Sequence, residues 1–421
     1  MYTELLNPDS IRLLTIHPGG FGSPLETSLH EVRLSDAPEY DCLSYTWGIY
    51  LHNESIKVNH TQLDITRGLW HFLQRIRLPD RTRVIWVDAI CVSQDDLSEK
   101  AQQVSMIGDI FKSASKVLVW LGEHADGSEF IFHPGRDVFG MARMVLGSNP
   151  PDKRYRAWKI LLMRPYFSRV WVIQEIALAK VLLVHCGDDV SEWEPLFEDR
   201  VNITWLDGVH RAFDGVKYVS SSFRKTLPRA EFEKFDKLVT KLDDLIRVRK
   251  FYRREAGLEA ERSNAPRLAN TTSQTIWSFS SSERFDRRDR VYALLSLETD
   301  HEIRKAISVS YEVDVTELAA ITLEALRPVK WYKDGRAGTL IQHLRLTKNE
   351  MMEVADIMID RTGDLSDAQR DALDRILGME LDLGVKNHFR AQDIEPDESQ
   401  REDFLKWRNF ARVEGKWPEP G

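Results

Sequence analysis

Apolar residues run almost unbroken through three short stretches: VIWVDAICV at 84–92, VLVWL at 117–121 and VLLVHCG at 181–187. Runs of this length with so few polar positions read as strands covered on both faces. Between them the period becomes helical. Val104, Ile107, Ile110, Phe111 and Ala114 recur on one face behind candidate caps at Asp96 or Ser98, and another helix is predicted over 168–179. Strand, helix, strand, helix, strand predicts an α/β unit with parallel strands.

Upstream, residues 1 to about 40 predict short strands broken at His17-Pro18-Gly19-Gly20 and Gly22-Ser23-Pro24. An aromatic-rich strand, YDCLSYTWG, follows at 40–48. Then come paired strands at 55–59 and 62–66 and a helix carrying Leu69, Phe72, Leu73 and Ile76. Past about 190 the texture becomes helical. A long amphipathic helix is predicted over 229–250, running into a basic cluster of Arg247, Arg249, Lys250, Arg253 and Arg254. Such a cluster could meet acidic lipid or RNA, but a solvated helix end is the default. Residues 262–283 predict a loop with a short helix near 276–279, and further helices open at Arg287 and over 314–327. Residues 331–421 hold 19 acidic and 14 basic side chains, −5 of the total −8, and are weakly apolar. The expected organisation is an α/β domain over 1–190, a helical region over 191–330 packed on or following it, and an acidic, partly helical extension over 331–421.

With 421 residues, 42% of them hydrophobic, the chain exceeds what one compact core usually holds and is not a disordered tail. A net charge of −8 leaves no basic surplus for phosphate backbones, so no nucleic-acid partner is expected. Three widely spaced cysteines, Cys42, Cys91 and Cys186, suit a reducing compartment. No secretory leader is read at the amino terminus, and no apolar run approaches the roughly 18–20 residues that cross a bilayer. A soluble, cytoplasmic protein is expected. There is no GxxxxGK(S/T), no dinucleotide fingerprint, no HExxH or paired Cys/His spacing for a metal, and no GxSxG elbow.

In a parallel α/β sheet, ligands gather at the carboxyl ends of the strands. Three features are expected there: residues 44–48, residues 88–94, and the helix holding Trp171 and Glu175. These last two, four apart, share a helix face. An indole beside a carboxylate can stack on a flat ring and partly desolvate the acid, which could then stabilise an oxocarbenium-like centre. The plainer alternative is a core tryptophan beside a solvated acid. Asp88, inside an apolar run, needs a partner or a place at a strand end facing a cleft. Arg169 is the candidate partner, and a structural ion pair is the competing account. Cys91 reads as a packed, inert thiol.

At these positions the sequence resembles the fungal heterokaryon-incompatibility (HET) domain in four ordered blocks. Residues 40–48 resemble its opening strand motif. IWVDAICVSQD at 85–95 resembles its W-I-D-A-(L/I)-C-I-N-Q block, with Ser93 where asparagine is usual. Residues 99–122 resemble its E-R-x-x-Q-V-x-x-M-x-x-I-Y helix and V-W-L-G strand, with Lys100 replacing arginine. YFSRVWVIQEIALA at 166–179 resembles its F-x-R-x-W-V-x-Q-E block. Residues 286–297 also resemble a stretch recurrent downstream of such domains. The resemblance implies a role in cell death after incompatible hyphal fusion, and a TIR-like, flavodoxin-like sheet. Many TIR domains cleave NAD with a glutamate behind a Ser-x-x-Trp-x-x-x-Glu pattern, and Ser168, Trp171 and Glu175 reproduce that spacing. By this resemblance Glu175 is the expected catalytic residue, and Ser44, Tyr45, Trp47, Gly48, Asp88, Arg169 and Trp171 the expected substrate-binding residues. NAD is then a substrate, with no cofactor and no metal, and self-association is expected to support activity. The competing expectation is a non-enzymatic module that signals by homotypic assembly. A third, nucleotide processing by Asp88 and Glu175 as a carboxylate pair, is weaker.

Overall fold

The structure is a computed structural model of the chain, and it describes residues 2–47, 53–132, 153–198, 229–258, 286–298, 300–326, 340 and 343–362. The chain divides into two compact units, Met1–Leu346 and Thr347–Gly421. Gly48, the expected loop at 262–283 and most of the acidic extension lie outside the described residues.

Among the described residues, nine strands make one sheet in the first unit. They are β1 (Ser10–Ile16), β2 (Glu26–Arg33), β3 (Asp41–Ser44), β4 (Asn53–Val58), β5 (Thr61–Thr66), β6 (Arg83–Trp86), β7 (Lys116–Trp120), β8 (Leu182–Cys186) and β9 (Asp189–Glu192). Their order across the sheet is β5-β4-β2-β1-β6-β3-β7-β8-β9. The sheet is mixed. β3 is parallel to both β6 and β7, and β7 to β8, while β1 runs antiparallel to β2 and β6, and β9 antiparallel to β8. Numbered along the chain, the four parallel strands lie in the order 2-1-3-4, a flavodoxin-like arrangement. The chain leaves β3 for β6 on one side, then crosses back to β7 on the other. That reversal makes the carboxyl ends of β3 and β7 a topological switch point, the place where ligands gather in sheets of this kind.

The helices of this unit are α1 (Arg67–Ile76), α2 (Asp88–Cys91), α3 (Leu97–Ser113), α4 (Glu129–Phe132), α5 (Lys153–Leu162), α6 (Pro165–Ser168), α7 (Val172–Leu178), α8 (Arg229–Glu255), α9 (Asp289–Leu295), α10 (His301–Ala306) and α11 (Val315–Ala325); α12 (Lys348–Thr362) belongs to the second unit. Asp96 caps α3, accepting from the amides of Ser98 and Glu99 at 3.0 Å. Such a carboxylate satisfies amides that have no partner inside the helix.

Two expectations are corrected. The apolar run at 84–92 is not one strand: β6 ends at Trp86 and Asp88 opens the single helical turn α2. Hydropathy cannot separate a buried strand from a buried helical turn, and the aspartate marks where the change falls. The basic cluster near 250 is not wholly solvated either. Arg249 is fully buried and donates to the carbonyls of Ile176 (2.8 Å) and Ala179 (2.9 Å) at the end of α7, and to Glu194 at 2.7 Å. Its charge meets carbonyls that a helix end leaves unpaired, and this fixes α8 on α7.

The amino-terminal strands are tied to the core by another buried pair. Arg12 meets Glu99 through two bonds, Nη1–Oε1 at 2.5 Å and Nη2–Oε2 at 2.8 Å. Glu99 also accepts from the Ser93 amide at 2.7 Å, and Arg12 donates to the Thr3 carbonyl at 2.6 Å.

Candidate functional site

Ser44 is the last residue of β3, so it stands at the carboxyl end of the strand, at this switch point. Its hydroxyl donates to Glu175 Oε2, and Tyr166 Oη lies 2.8 Å from the same Ser44 oxygen. Ser44 has one proton and gives it to the carboxylate. Tyr166 must therefore donate to Ser44, which sets a directed chain Tyr166→Ser44→Glu175. Tyr166 comes from α6 and Glu175 from the first turn of α7; the helix expected over 168–179 is shorter, Val172–Leu178, and α6 precedes it.

Arg169, in the bend between those helices, reaches Glu175 Oε1 from Nη2 at 3.4 Å. Its other terminal nitrogen, Nη1, is buried with no partner among the described residues. Burial lowers the guanidinium's affinity for its proton, but the Glu175 and Asp88 carboxylates outweigh it and hold the pKa above its ordinary value. Glu175 is 5% exposed. Its pKa is raised by burial, which prevails over the opposing pull of Arg169 and Ser44, and the nearby Asp88 charge adds to the rise.

Asp88 sits where β6 gives way to α2. Its Oδ2 accepts from Trp47 Nε1 at 2.8 Å, and its Oδ1 from the Ala89 amide at 2.8 Å. Burial raises its pKa, and Arg169 opposes that rise. Arg169 thus lies in the field of two carboxylates, one from the turn after β6 and one from α7. Tyr45 is buried near enough to Arg169 to interact with its charge. Gly48 lies outside the described residues.

Trp171 is placed differently from expectation. Its Nε1 donates to Asp289 Oδ2 at 3.3 Å, 118 residues downstream, so the indole's polar edge serves the junction between α7 and α9. Two residues that the spacing argument passed over belong to this region. Tyr166 completes the hydroxyl chain. Gln174 is fully buried with both amide atoms unpartnered among the described residues. Both stand inside the YFSRVWVIQE stretch, and a glutamine in an otherwise apolar helix face was the available signal.

Among the described residues, no group of three or more His, Cys, Asp or Glu is arranged to hold a metal ion, and no helix is long and apolar enough to cross a membrane. A cavity of about 350 Å³ lies away from Glu175, between α3 and the segment from α9 to α10, lined by residues that include Gln102, Ser105, Tyr292, Ser296 and Arg304.

Residues 40–175 match the model of the family described as Heterokaryon incompatibility protein (HET). A curated relative is the Heterokaryon incompatibility protein 6, OR allele, of Neurospora crassa. It is 27% identical over 224 residues, covering 42% of this chain and 33% of that protein. The chain therefore spans about a third of that relative's length. No solved structure matches.

Proposed function

We propose that the protein, whose residues 40–175 match the HET family model, acts in the cytoplasm in the cell-death response to incompatible hyphal fusion, by hydrolysing NAD between nicotinamide and ribose at Glu175. The name of the Neurospora relative supports the incompatibility role. The observation that carries the chemistry is Arg169. A guanidinium beside an acid, with one buried nitrogen unpartnered among the described residues, near the switch point of the sheet, is suited to receive oxygens of a ligand. The ribose hydroxyls and pyrophosphate of NAD are such oxygens.

In this reaction the bond from ribose C1′ to the nicotinamide nitrogen breaks, and its electron pair stays with the leaving ring. The sugar is left as an oxocarbenium-like cation, which the Glu175 carboxylate stabilises. The Tyr166–Ser44 chain holds that carboxylate in place, Arg169 donates to the sugar or phosphate oxygens, and Asp88 accepts from a ribose hydroxyl. Water then adds to C1′ and releases a proton. Trp171, bonded to Asp289, positions the start of α7 rather than stacking on the substrate. Self-association supports the active form.

Glu175's own bonds favour a second reading. A carboxylate 5% exposed and tied to Ser44 and Arg169 also serves as a structural lock. A non-enzymatic module signalling by homotypic assembly needs nothing more. Incubating the purified full chain with NAD and following nicotinamide release separates the two. The enzymatic reading expects release by the parent and a fall of about a hundredfold or more in Glu175→Gln. Equal rates in both proteins, or no release by the parent at concentrations that permit assembly, leave the second reading.

A further inference from the structure

At the carboxyl ends of β7 and β8 a second set of reactive groups converges, which the Glu175 site does not use. Cys186, the last residue of β8, is fully buried. Its Sγ lies 3.6 Å from His124 Nδ1, and the other ring nitrogen, Nε2, lies 2.9 Å from Asp189 Oδ2. Arg164 Nη1 donates to the same sulfur at 3.2 Å, and Ser128 Oγ is 3.6 Å from it. Ser128 Oγ is also 2.9 Å from His124 Nδ1. An imidazole oriented by a carboxylate, a guanidinium and a hydroxyl thus surround one sulfur, an arrangement that favours the thiolate.

Backbone geometry holds the cluster together. Gly187 has φ +55°, and a Cβ there would stand 2.4 Å from His124 Cδ2. Only glycine lets the chain turn from β8 into β9 against the imidazole. The Gly187 amide donates to the Gly122 carbonyl at 2.9 Å, joining the segment after β8 to the one before His124.

The other two cysteines serve as internal controls. Burial pushes the Cys91 thiol up to about 12 and Cys42 well above its ordinary value. Burial acts on Cys186 in the same direction, but the bond from His124 and the charge of Arg164 prevail, and its pKa is lowered. His124 moves the opposite way, its pKa raised chiefly by its bond to Cys186.

We propose that Cys186 is the cysteine of this chain that a small hydroperoxide oxidises to a sulfenic acid, with His124 supplying the proton to the departing oxygen. The thiolate sulfur attacks one peroxide oxygen, so that the S–O bond forms as the O–O bond breaks. Sulfur loses two electrons and the peroxide gains them. The leaving hydroxide takes the proton of the His124 imidazolium and departs as water. Size selects the oxidant: the sulfur is fully buried, while the His124 and Asp189 side chains are 24% and 23% exposed, so access is for molecules near the size of water.

The test treats the reduced full-length protein with hydrogen peroxide, removes the peroxide with catalase, then unfolds the protein in dimedone and locates the adducts by peptide mass spectrometry. Dimedone is expected on Cys186 at least about tenfold more than on Cys42 or Cys91. Because all three are buried in one chain, that comparison needs no variant. His124→Gln, with its fold checked by circular dichroism, is expected to lower Cys186 labelling about tenfold or more. Labelling spread evenly over the three cysteines, labelling of Cys186 no greater than in a peroxide-free control, or an unchanged extent in a folded His124→Gln each overturn the proposal.

Discussion

Gly108, midway along α3, offers a test whose sign reports on how the downstream helical segment meets the sheet domain. In an isolated helix, Gly→Ala stabilises by about 1 kcal/mol. Here a Cβ on Gly108 would stand 2.2 Å from Ser296 Cβ and 2.3 Å from Ser296 Oγ, at the end of α9, with Leu178 Cδ1 at 3.2 Å. Carbon atoms settle at roughly 3.5–4.0 Å, so α3 and the end of α9 must separate by more than about 1 Å. Overpacking of this kind costs about 1–3 kcal/mol and sometimes more, which exceeds the helical gain. Gly108→Ala is therefore expected to destabilise by on the order of 1–2 kcal/mol in urea unfolding. Ser296→Gly removes both atoms that clash, and Leu178 can rotate away. In that background the same substitution should be neutral or stabilising, giving a coupling energy above about 1 kcal/mol between the two positions. If Gly108→Ala stabilises the parent by the full helical amount, α9 does not pack on α3 as described.

Other expectations follow from the buried polar groups. Glu99→Gln strands the Arg12 charge and should cost about 3–5 kcal/mol in urea unfolding, with Arg12→Met combined with Glu99→Leu recovering most of the loss; additive single effects would contradict this. Asp289 carries its proton up to about 6 because of burial, against 3.8 as a free group. Its folded form therefore binds protons more tightly, and its contribution to stability falls as pH rises from about 4 to about 6, then levels off. Compared with Asp289→Asn, the parent should lose roughly 2 kcal/mol between pH 4 and pH 7, measured by denaturant unfolding at each pH, and parallel curves would refute the linkage. Ser44→Ala should cost more than Tyr166→Phe, about 2–3 against about 1 kcal/mol, because only the first takes a donor from a buried carboxylate; the reverse order would mean the hydroxyl chain runs the other way.

Much of the sheet was legible because its central strands carry their burial in plain apolar runs. Val117, Leu118 and Val119 of β7 are at most 1% exposed, and α3 shows both its period and its Asp96 cap. The antiparallel pairing of β1 with β6, across nearly 70 residues, has no local signal and follows from packing alone. The candidate site divides in the same way. Trp171 and Glu175 could be placed on one helix from spacing, but the Asp289 that takes the indole nitrogen lies 118 residues away. Arg249 looked like part of a solvated charge cluster because sequence shows charge and not the carbonyls that will face it. Cys186 and His124, 62 residues apart, were invisible as a pair until β7 and β8 lay side by side.

The strand order has a consequence for what the shared stretch of the family can be by itself. The matched residues end before β8 and begin after β1 and β2, yet β8 is the neighbour of β7 and β1 the neighbour of β6. Excised at those limits, the fragment would leave hydrogen-bonding rims open on both sides of its apolar centre, the condition under which strands seek partners in other molecules. Recognisable homology and autonomous folding thus have different borders in this protein, and the wider border includes Arg12 and Arg249.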